Sequence, residues 1–321
     1  MDFKFKINGD KFKILQLTDT QIMDTTQMRH SGLLDPERAE LFAPENMDKN
    51  CFEHIRSLVA QTNPDLILIT GDLVYGQFDD NGSCFKALVN LMESFCIPWA
   101  PVFGNHDNES KMGVYWQCEQ LENAKNCIFK RGNVTGFGNY TIGIYNGEEL
   151  VRIIYMLDSH GCLHGFNEEV RLETTLYDDQ IKFLQNNAKE NAGVKSFLVC
   201  HIPSDEFRIV QDAKGYPSDK FYRIGVDVEA KDGDFGSKFE NFIVYKIDDF
   251  FGLIKEINAD GVFVGHNHQI NTSILYNGVR YTFGLKSSVY DFYRKGHLGG
   301  TLITLEKGTN EFTVNHIPSL V

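Results

Sequence analysis

Short apolar runs separated by polar, glycine-bearing loops mark the first hundred residues of this chain. Residues 12–17 predict a strand, and residues 47–61 carry Phe52, Ile55, Leu58 and Val59 at helical spacing. Residues 66–70 are a β-branched buried strand, 85–95 a helix, and 98–103 a third strand entered through proline. Further strands are predicted at 140–144 and 151–157, then a helix opening near Asp178 as N-cap and carrying Ile181 and Leu184. Residues 196–200 and 261–264 read as buried strands. The C-terminal part turns β-rich: 272–276, an Asn277-Gly278 turn, 279–283, and two more strands at 301–305 and 312–314. Alternating βα units followed by a β-rich half predict an α/β chain of two packed mixed sheets with helices outside. Residues 204–246 break the pattern. They are polar and glycine-containing, with Asp227, Glu229, Asp232 and Asp234, and read either as a lid over a site or as a solvated loop inserted into one domain spanning 1–321.

Composition narrows the function classes. The chain has 321 residues, 42% hydrophobic and 23% charged, as expected of a soluble globular protein with a sizeable core. A formal charge of −13 argues against nucleic-acid backbone binding, which wants a basic stripe. It leaves room for a small phosphorylated substrate or a phosphoprotein, because bound cations dominate the field inside a site. Seven cysteines without a C-x-x-C spacing read as reduced thiols, and the expected compartment is cytoplasmic. The first residues show no secretory apolar region, and no apolar run approaches membrane-spanning length, so no membrane partner is expected. Oligomeric state is not legible.

The chemistry lies where the strands end. The first ends in Asp19-Thr20-Gln21, the second in Gly71-Asp72, and the third in Gly104-Asn105-His106-Asp107. A later strand ends in His201 and another in Gly265-His266-Asn267-His268. Ligands gather at the carboxyl ends of strands in open α/β sheets, so these loops can converge. Aspartate and imidazole donors suit Mn, Fe or Zn better than Ca. Two cations need a shared ligand, and the two oxygens of Asp72 can bridge, with the other donors distributed on either side. Paired metals lower the pKa of a bound water and grip phosphate oxygens.

In order and placement, the series Asp19/Gln21, Gly71-Asp72, Gly104-Asn105-His106-Asp107, His201 and Gly265-His266-Asn267-His268 resembles the calcineurin-like metallophosphoesterases. The resemblance implies a four-layer αββα fold and a dinuclear phosphoesterase that cleaves a phosphomonoester by attack of a metal-bound hydroxide. It implies that Asp19, His268 and Gln21 hold the first metal, Asp72 bridges, and Asn105, His201 and His266 hold the second. It implies that His106 protonates the leaving-group oxygen or stabilises the phosphoryl charge, while Asp107 orients its ring. Gln21 stands where many members have histidine. Leu157-Asp158-Ser159, His201-Ile202-Pro203 and Gly284-Leu285-Lys286 are similar to an intracellular, purple-acid-phosphatase-like branch, and Gly71-Asp72-Leu73-Val74-Tyr75 is similar to a motif whose tyrosine binds ferric iron. Tyr75 is read as packing beside the site or as a further ligand. The same scaffold also supports phosphodiesterases, nucleotide pyrophosphatases and non-catalytic platforms.

Other groups have blander readings. Asp158 is a candidate support for the site, His160 and His164 belong to a loop that is solvated or touches substrate, and His54, His297 and His316 read as surface or packing. Cys200 precedes His201 on a strand, so the two side chains point to opposite faces and the thiol is not a nucleophile. No Walker-type phosphate loop is present.

Overall fold

In a computed structural model, the structure describes residues 1–27, 36–161, 172–214, 244–291, 293 and 297–320. The chain opens with β1 (Phe3–Lys6) and β2 (Lys11–Leu17), then α1 (Pro36–Leu41), α2 (Glu53–Thr62), β3 (Leu66–Thr70), α3 (Ser83–Ser94), β4 (Trp99–Val102) and α4 (Gly113–Asn123). It continues through β5 (Tyr140–Asn146), β6 (Glu149–Met156), α5 (Asp178–Glu190), β7 (Lys195–Val199), α6 (Glu206–Ala213), α7 (Phe250–Glu256) and β8 (Ala259–Val264). The hairpin β9 (Ser273–Tyr276) and β10 (Val279–Phe283) precedes β11 (Gly299–Glu306) and β12 (Phe312–Pro318).

Two mixed sheets result, ordered β1-β5-β6-β7-β8-β10-β9 and β12-β11-β2-β3-β4. The predicted two-sheet α/β architecture is therefore observed. Within each sheet the central strands are parallel: β2 with β3 and β3 with β4 in one, β6 with β7 and β7 with β8 in the other. Parallel strands are covered on both faces, and all five residues of β3 are buried. The sheets face each other through apolar side chains. Phe197 on β7 and Phe263 on β8 meet Phe312 of the other sheet, with ring centroids 4.7 and 6.4 Å apart. Strand alternation divides β7 between two cores: Phe197 and Val199 point between the sheets, while Leu198 joins the outer cluster with residues of α6 and α7. On the far side α2 lies against β2 and β11.

Four details differ from the sequence expectation. β1 pairs in parallel with β5, Phe3 opposite Ile142, a strand the Lys-Phe alternation of a terminus did not announce. Helix α4 buries Val114, Gln117, Cys118 and Leu121, a helical stripe disguised by its glutamine. Helix α5 begins one residue earlier than expected: Asp178 is its first residue rather than its cap, and Gln180 accepts a hydrogen bond from the Tyr177 N–H at 2.9 Å. Residues 204–246 open with α6 rather than irregular chain, and Ser204 bridges Tyr245 to close their base. Of the proposed lid or loop at 204–246, residues 215–243 lie outside the described residues. Among the described residues, no helix is long and apolar enough to cross a membrane.

Candidate metal centre

Five of the parallel strands, β2, β3, β4, β7 and β8, deliver their carboxyl ends to one edge where the two sheets meet. Hydrogen bonds cross between the sheets there. The His201 Nδ1–H donates to the Thr70 carbonyl at 2.7 Å, the His266 N–H to Asp19 Oδ2 at 3.1 Å, and Gln16 Nε2 to the Val264 carbonyl at 3.0 Å. The backbone turns sharply as it leaves the strands. Asp19 (φ 51°), Gln21 (44°), Asp72 (51°) and His266 (71°) all occupy the left-handed region, which is costly for residues with a Cβ and concentrates at functional sites. Glycine is required where the loops touch: a Cβ on Gly71 would lie 2.6 Å from the His201 ring, and one on Gly104 would strike the Asp72 carboxylate.

The sequence-predicted ligands come together. One ligand atom each from Asp19, Asp72 and His268 lies within 4.8 Å of the others, all buried. His268 Nε2 is 3.2 Å from Asp19 Oδ1. On the other side of Asp72, His201 Nε2 lies 3.4 Å from Asp72 Oδ2 and 3.2 Å from Asn105 Oδ1, and the His201 and His266 rings meet edge to face at 5.2 Å. Because Nδ1 of His201 donates to Thr70, Nε2 is the nitrogen turned to the Asp72 and Asn105 oxygens, and the one a cation would take in place of a proton. Asp19 Oδ1 and His266 Nε2 are buried without a hydrogen-bond partner. Such clustered, unsatisfied acceptors are costly in a protein interior unless a cation meets them. The donors fit a metal on either side of Asp72: Asp19 and His268 on one, Asn105, His201 and His266 on the other.

The titration behaviour follows from this crowding. Burial would raise both carboxyls, yet neighbouring histidines outweigh it and hold Asp19 and Asp72 well below the usual carboxylate range. Burial works against charge on His201, but Asp72 outweighs it and raises the ring to about 9. His266 is pushed down to about 3 by burial and by His201, so it is a neutral imidazole with a free nitrogen. A proton on His201 relieves the repulsion among these acceptors, and a metal cation would do so better because it meets several of them at once.

His106 stands beside this cluster. Its N–H donates to Asp72 Oδ1 at 2.9 Å, and its ring stacks on Tyr75 with centroids 4.1 Å apart and planes 28° from parallel. The expectation that Asp107 orients this ring is corrected by the structure. Asp107 instead accepts from the N–H groups of Val74 (3.0 Å) and Gly104 (2.7 Å), splicing the loop after β3 to the loop after β4. The carboxylate that holds His106 belongs to Glu109, whose Oε2 is 2.8 Å from Nδ1 and whose side chain is buried. Burial would lower the pKa of His106, but Asp72 and Glu109 raise it to about 10.

Gln21, expected among the ligands of the first metal, turns both ends of its amide to neighbouring side chains. Its Oε1 accepts from Lys286 Nζ at 2.6 Å, and a lysine ammonium can only donate, so the amide oxygen faces the lysine. The Nε2 end points at Asp72 Oδ2, 3.3 Å away. Tyr75 packs: it stacks on His106, and burial followed by nearby carboxylates drives its phenol upward, away from phenolate.

A model of the family described as calcineurin-like phosphoesterase matches residues 12–270. The chain belongs to that family. Among relatives of this calcineurin-like phosphoesterase, the Arabidopsis thaliana protein named "Probable inactive purple acid phosphatase 29" is 27% identical over 293 residues, 83% of this chain and 68% of that one. "Phosphatase DCR2" of Saccharomyces cerevisiae is 25% identical over 286 residues, 80% of this chain. The chain spans 44% of that yeast relative's length. A dimetal phosphatase from Danio rerio shares the fold, with a TM-score of 0.57 at 8% identity over 97% of this chain and 96% of that one. The resemblance to purple-acid-phosphatase-like proteins read from the sequence is thus found in these relatives.

Around the family's motifs, other residues take supporting places. Asp158 accepts from the N–H groups of Phe137 (2.9 Å) and His160 (2.8 Å). His160 is not on a solvated loop: it is buried, with Nδ1 3.3 Å from Asp158 Oδ2 and Nε2 3.1 Å from Gln180 Oε1. This network sets Gly161 close to Asn105. His164 lies outside the described residues. Cys200 turns into the outer core, and burial raises its thiol to about 12, so it is no nucleophile. His54 and His316 pack through Ser319 and Thr301. Two residues near the site escaped sequence reasoning, Glu109 and Asp291, whose Oδ2 is 3.7 Å from His268 Nδ1; Lys286 enters the sequence reading only as part of a branch motif. Glu109 had a local signal, as a carboxylate three residues beyond His106.

Proposed function

We infer that this calcineurin-like phosphoesterase is a dinuclear metal-dependent phosphatase that hydrolyses a phosphomonoester, on a small molecule or a phosphoprotein. The observation that carries this reading is the convergence of Asp19, Asp72, Asn105, His201, His266 and His268 from five strand ends, with His106 hydrogen-bonded to Asp72 at its side. Asp19, His268 and Asp72 would hold one cation; Asp72, Asn105, His201 and His266 would hold the other. Carboxylate, amide and imidazole donors in that mixture suit Mn, Fe or Zn. Such a pair of cations supplies a water of lowered pKa and neutralises phosphate oxygens.

The chain's own residues do the rest. Glu109 accepts from His106 Nδ1 and, with Asp72, favours the protonated ring, whose Nε2 proton would serve the leaving-group oxygen. Tyr75 backs that ring and Asp72 fixes its backbone, limiting where the proton can go. Asp107 and Gly104 keep the loop after β4 against Asp72. The formal charge of −13 favours a compact phosphate ester over a nucleic acid.

A second reading, a non-catalytic platform, is favoured by the word "inactive" in the name of the Arabidopsis relative. The proton donor and the donor cluster weigh against it. Metal-free chain reloaded with Mn, Fe or Zn and assayed on p-nitrophenyl phosphate, its bis-ester, a nucleoside diphosphate and a phosphoserine peptide separates these readings. Turnover of the monoesters is expected. Turnover of the diester alone would make the protein a phosphodiesterase, and no turnover with two metals bound would make it a platform.

A further inference from the structure

Asp158, His160, Gln180 and Asn139 form a buried polar network, and none of the four is a candidate metal ligand. Backbone groups fix the orientation of Gln180. Its Oε1 accepts from the Tyr177 N–H at 2.9 Å, and its Nε2 donates to the Asp158 carbonyl and to Asn139 Oδ1, each at 2.8 Å. The atom 3.1 Å from His160 Nε2 is therefore an oxygen without a hydrogen, and the ring nitrogen must donate to it. His160 Nδ1 lies 3.3 Å from Asp158 Oδ2. That carboxylate already accepts from the Phe137 N–H at Oδ2 (2.9 Å) and from the His160 N–H at Oδ1 (2.8 Å), so it too is an acceptor. A neutral imidazole has one N–H and one lone pair, so it satisfies Gln180 or Asp158 and turns its lone pair on the other. Only the imidazolium donates to both.

The surroundings agree with that state. Asp158 faces the ring from the end of β6, Asp179 stands near it at the start of α5, and the Tyr177 ring meets it edge to face at 5.2 Å. Burial works against the charge, yet Asp158, Gln180 and Asp179 outweigh it and raise the ring above the ordinary histidine value. The residues on either side of His160 touch the metal edge. Ser159 Oγ accepts from the Ile202 N–H, next to His201, at 2.9 Å. Gly161 (φ 98°) is so closely packed that a Cβ there would lie 2.7 Å from Ile202 Cδ1 and from Thr174 Oγ1, and 3.7 Å from Asn105 Cβ. Residues 159–161 thus form a seat for Asn105 and for the chain that leaves His201.

We propose that His160 is held as a buried imidazolium paired with Asp158, and that this pair is a positioning device that seats Ser159-His160-Gly161 against Asn105 and Ile202. Its effect on turnover rests on the phosphatase reading above; its protonation does not. The 321-residue chain, labelled with ¹⁵N-histidine, is measured by long-range ¹H–¹⁵N correlation at pH 7.5, with the His160 ring assigned by its loss in His160→Gln. Both ring nitrogens should be protonated, where an unperturbed histidine, with a pKa of about 6.5, is neutral. A neutral tautomer at that pH would overturn the proposal, and this measurement needs no folded variant beyond the assignment. In the Mn²⁺-loaded chain, His160→Gln and Asp158→Asn should each lower kcat for p-nitrophenyl phosphate about tenfold with KM within about twofold, and the double variant should lose no more than either single one. Losses that multiply, or an unchanged kcat in folded variants, would overturn the positioning role. A wild-type chain without turnover would remove the phosphatase reading instead. The side-chain amide signals of Asn105 then carry the test: they should shift in His160→Gln, and unmoved signals would overturn the proposal.

Discussion

Glu109→Gln tests the proton-donating arm of the site. The substitution keeps the shape of the side chain and an acceptor oxygen for His106 Nδ1, 2.8 Å away, but removes the charge. Hydrogen bonds to charged groups contribute about 1.5–3 kcal/mol, against roughly 1 kcal/mol for neutral ones. The difference, on the order of 1–2 kcal/mol, is about 5- to 30-fold in rate at 1.4 kcal/mol per decade. That loss should appear only where the leaving oxygen needs a proton. The assay is kcat/KM across phosphomonoesters of graded leaving-group pKa, from p-nitrophenyl phosphate to glycerol phosphate and phosphoserine peptide. The alkyl esters should slow by the full factor, and the p-nitrophenyl ester by less than about threefold. The pH profile adds a sign. Burial lowers the pKa of His106, whereas Asp72 and Glu109 raise it to about 10, so loss of the Glu109 charge must move the alkaline limb to lower pH. Equal losses across the series, or an unmoved limb, would refute the Glu109–His106 pairing as a catalytic arrangement.

Other outcomes follow from the same contacts. His106→Ala should keep its metal, measured by elemental analysis, yet lose about 10²–10⁴-fold in activity on poor leaving groups. Asp107→Asn should behave differently from Glu109→Gln: it disturbs the splice between Val74 and Gly104, so lowered Tm and metal content are expected before any leaving-group dependence. Gly104→Ala forces a methyl group into Asp72 and should cost about 1–3 kcal/mol in chemical denaturation, with loss of metal. His316, accepting from Thr301 Oγ1 and donating to the Asn271 carbonyl, is lowered from 6.5 to about 4, chiefly by burial. A depressed histidine contributes stability above its unfolded pKa and loses it as pH falls through the folded one. The wild-type chain should therefore lose roughly 1 kcal/mol between pH 6.5 and 4, discounted because His316 is only half-buried, and His316→Asn should lack that slope.

Much of the centre was legible because its ligands sit one to four residues beyond strands whose periodicity is strong. Asp19, Asp72, Asn105, His201, His266 and His268 each follow an apolar run, and parallel pairing brings those ends together. What failed was the choice between carboxylates around His106. Asp107 and Glu109 are both in the turn after β4, and a 3₁₀ turn over Asp107–Glu109 curls the later one back onto the ring while the earlier one faces the backbone. Spacing alone does not decide which. The Lys286–Gln21 contact joins residues 265 apart in sequence, and a lone lysine after a hairpin announces no burial. The same limit hid β1, whose partner β5 lies more than a hundred residues away. Helix α4 was hidden by chemistry instead, since its buried Gln117 donates to the Asp107 carbonyl and breaks the apolar stripe.

The central claim is that the strand-end donors gather two cations around Asp72. Crystals of the 321-residue chain equilibrated with Mn²⁺, measured for anomalous scattering, test it most directly. Two peaks roughly 3.5–4 Å apart, one on each side of the Asp72 carboxylate, are expected, with both absent in Asp72→Ala. A single peak away from Asp72, or no ordered metal among Asp19, Asn105, His201, His266 and His268, would contradict it.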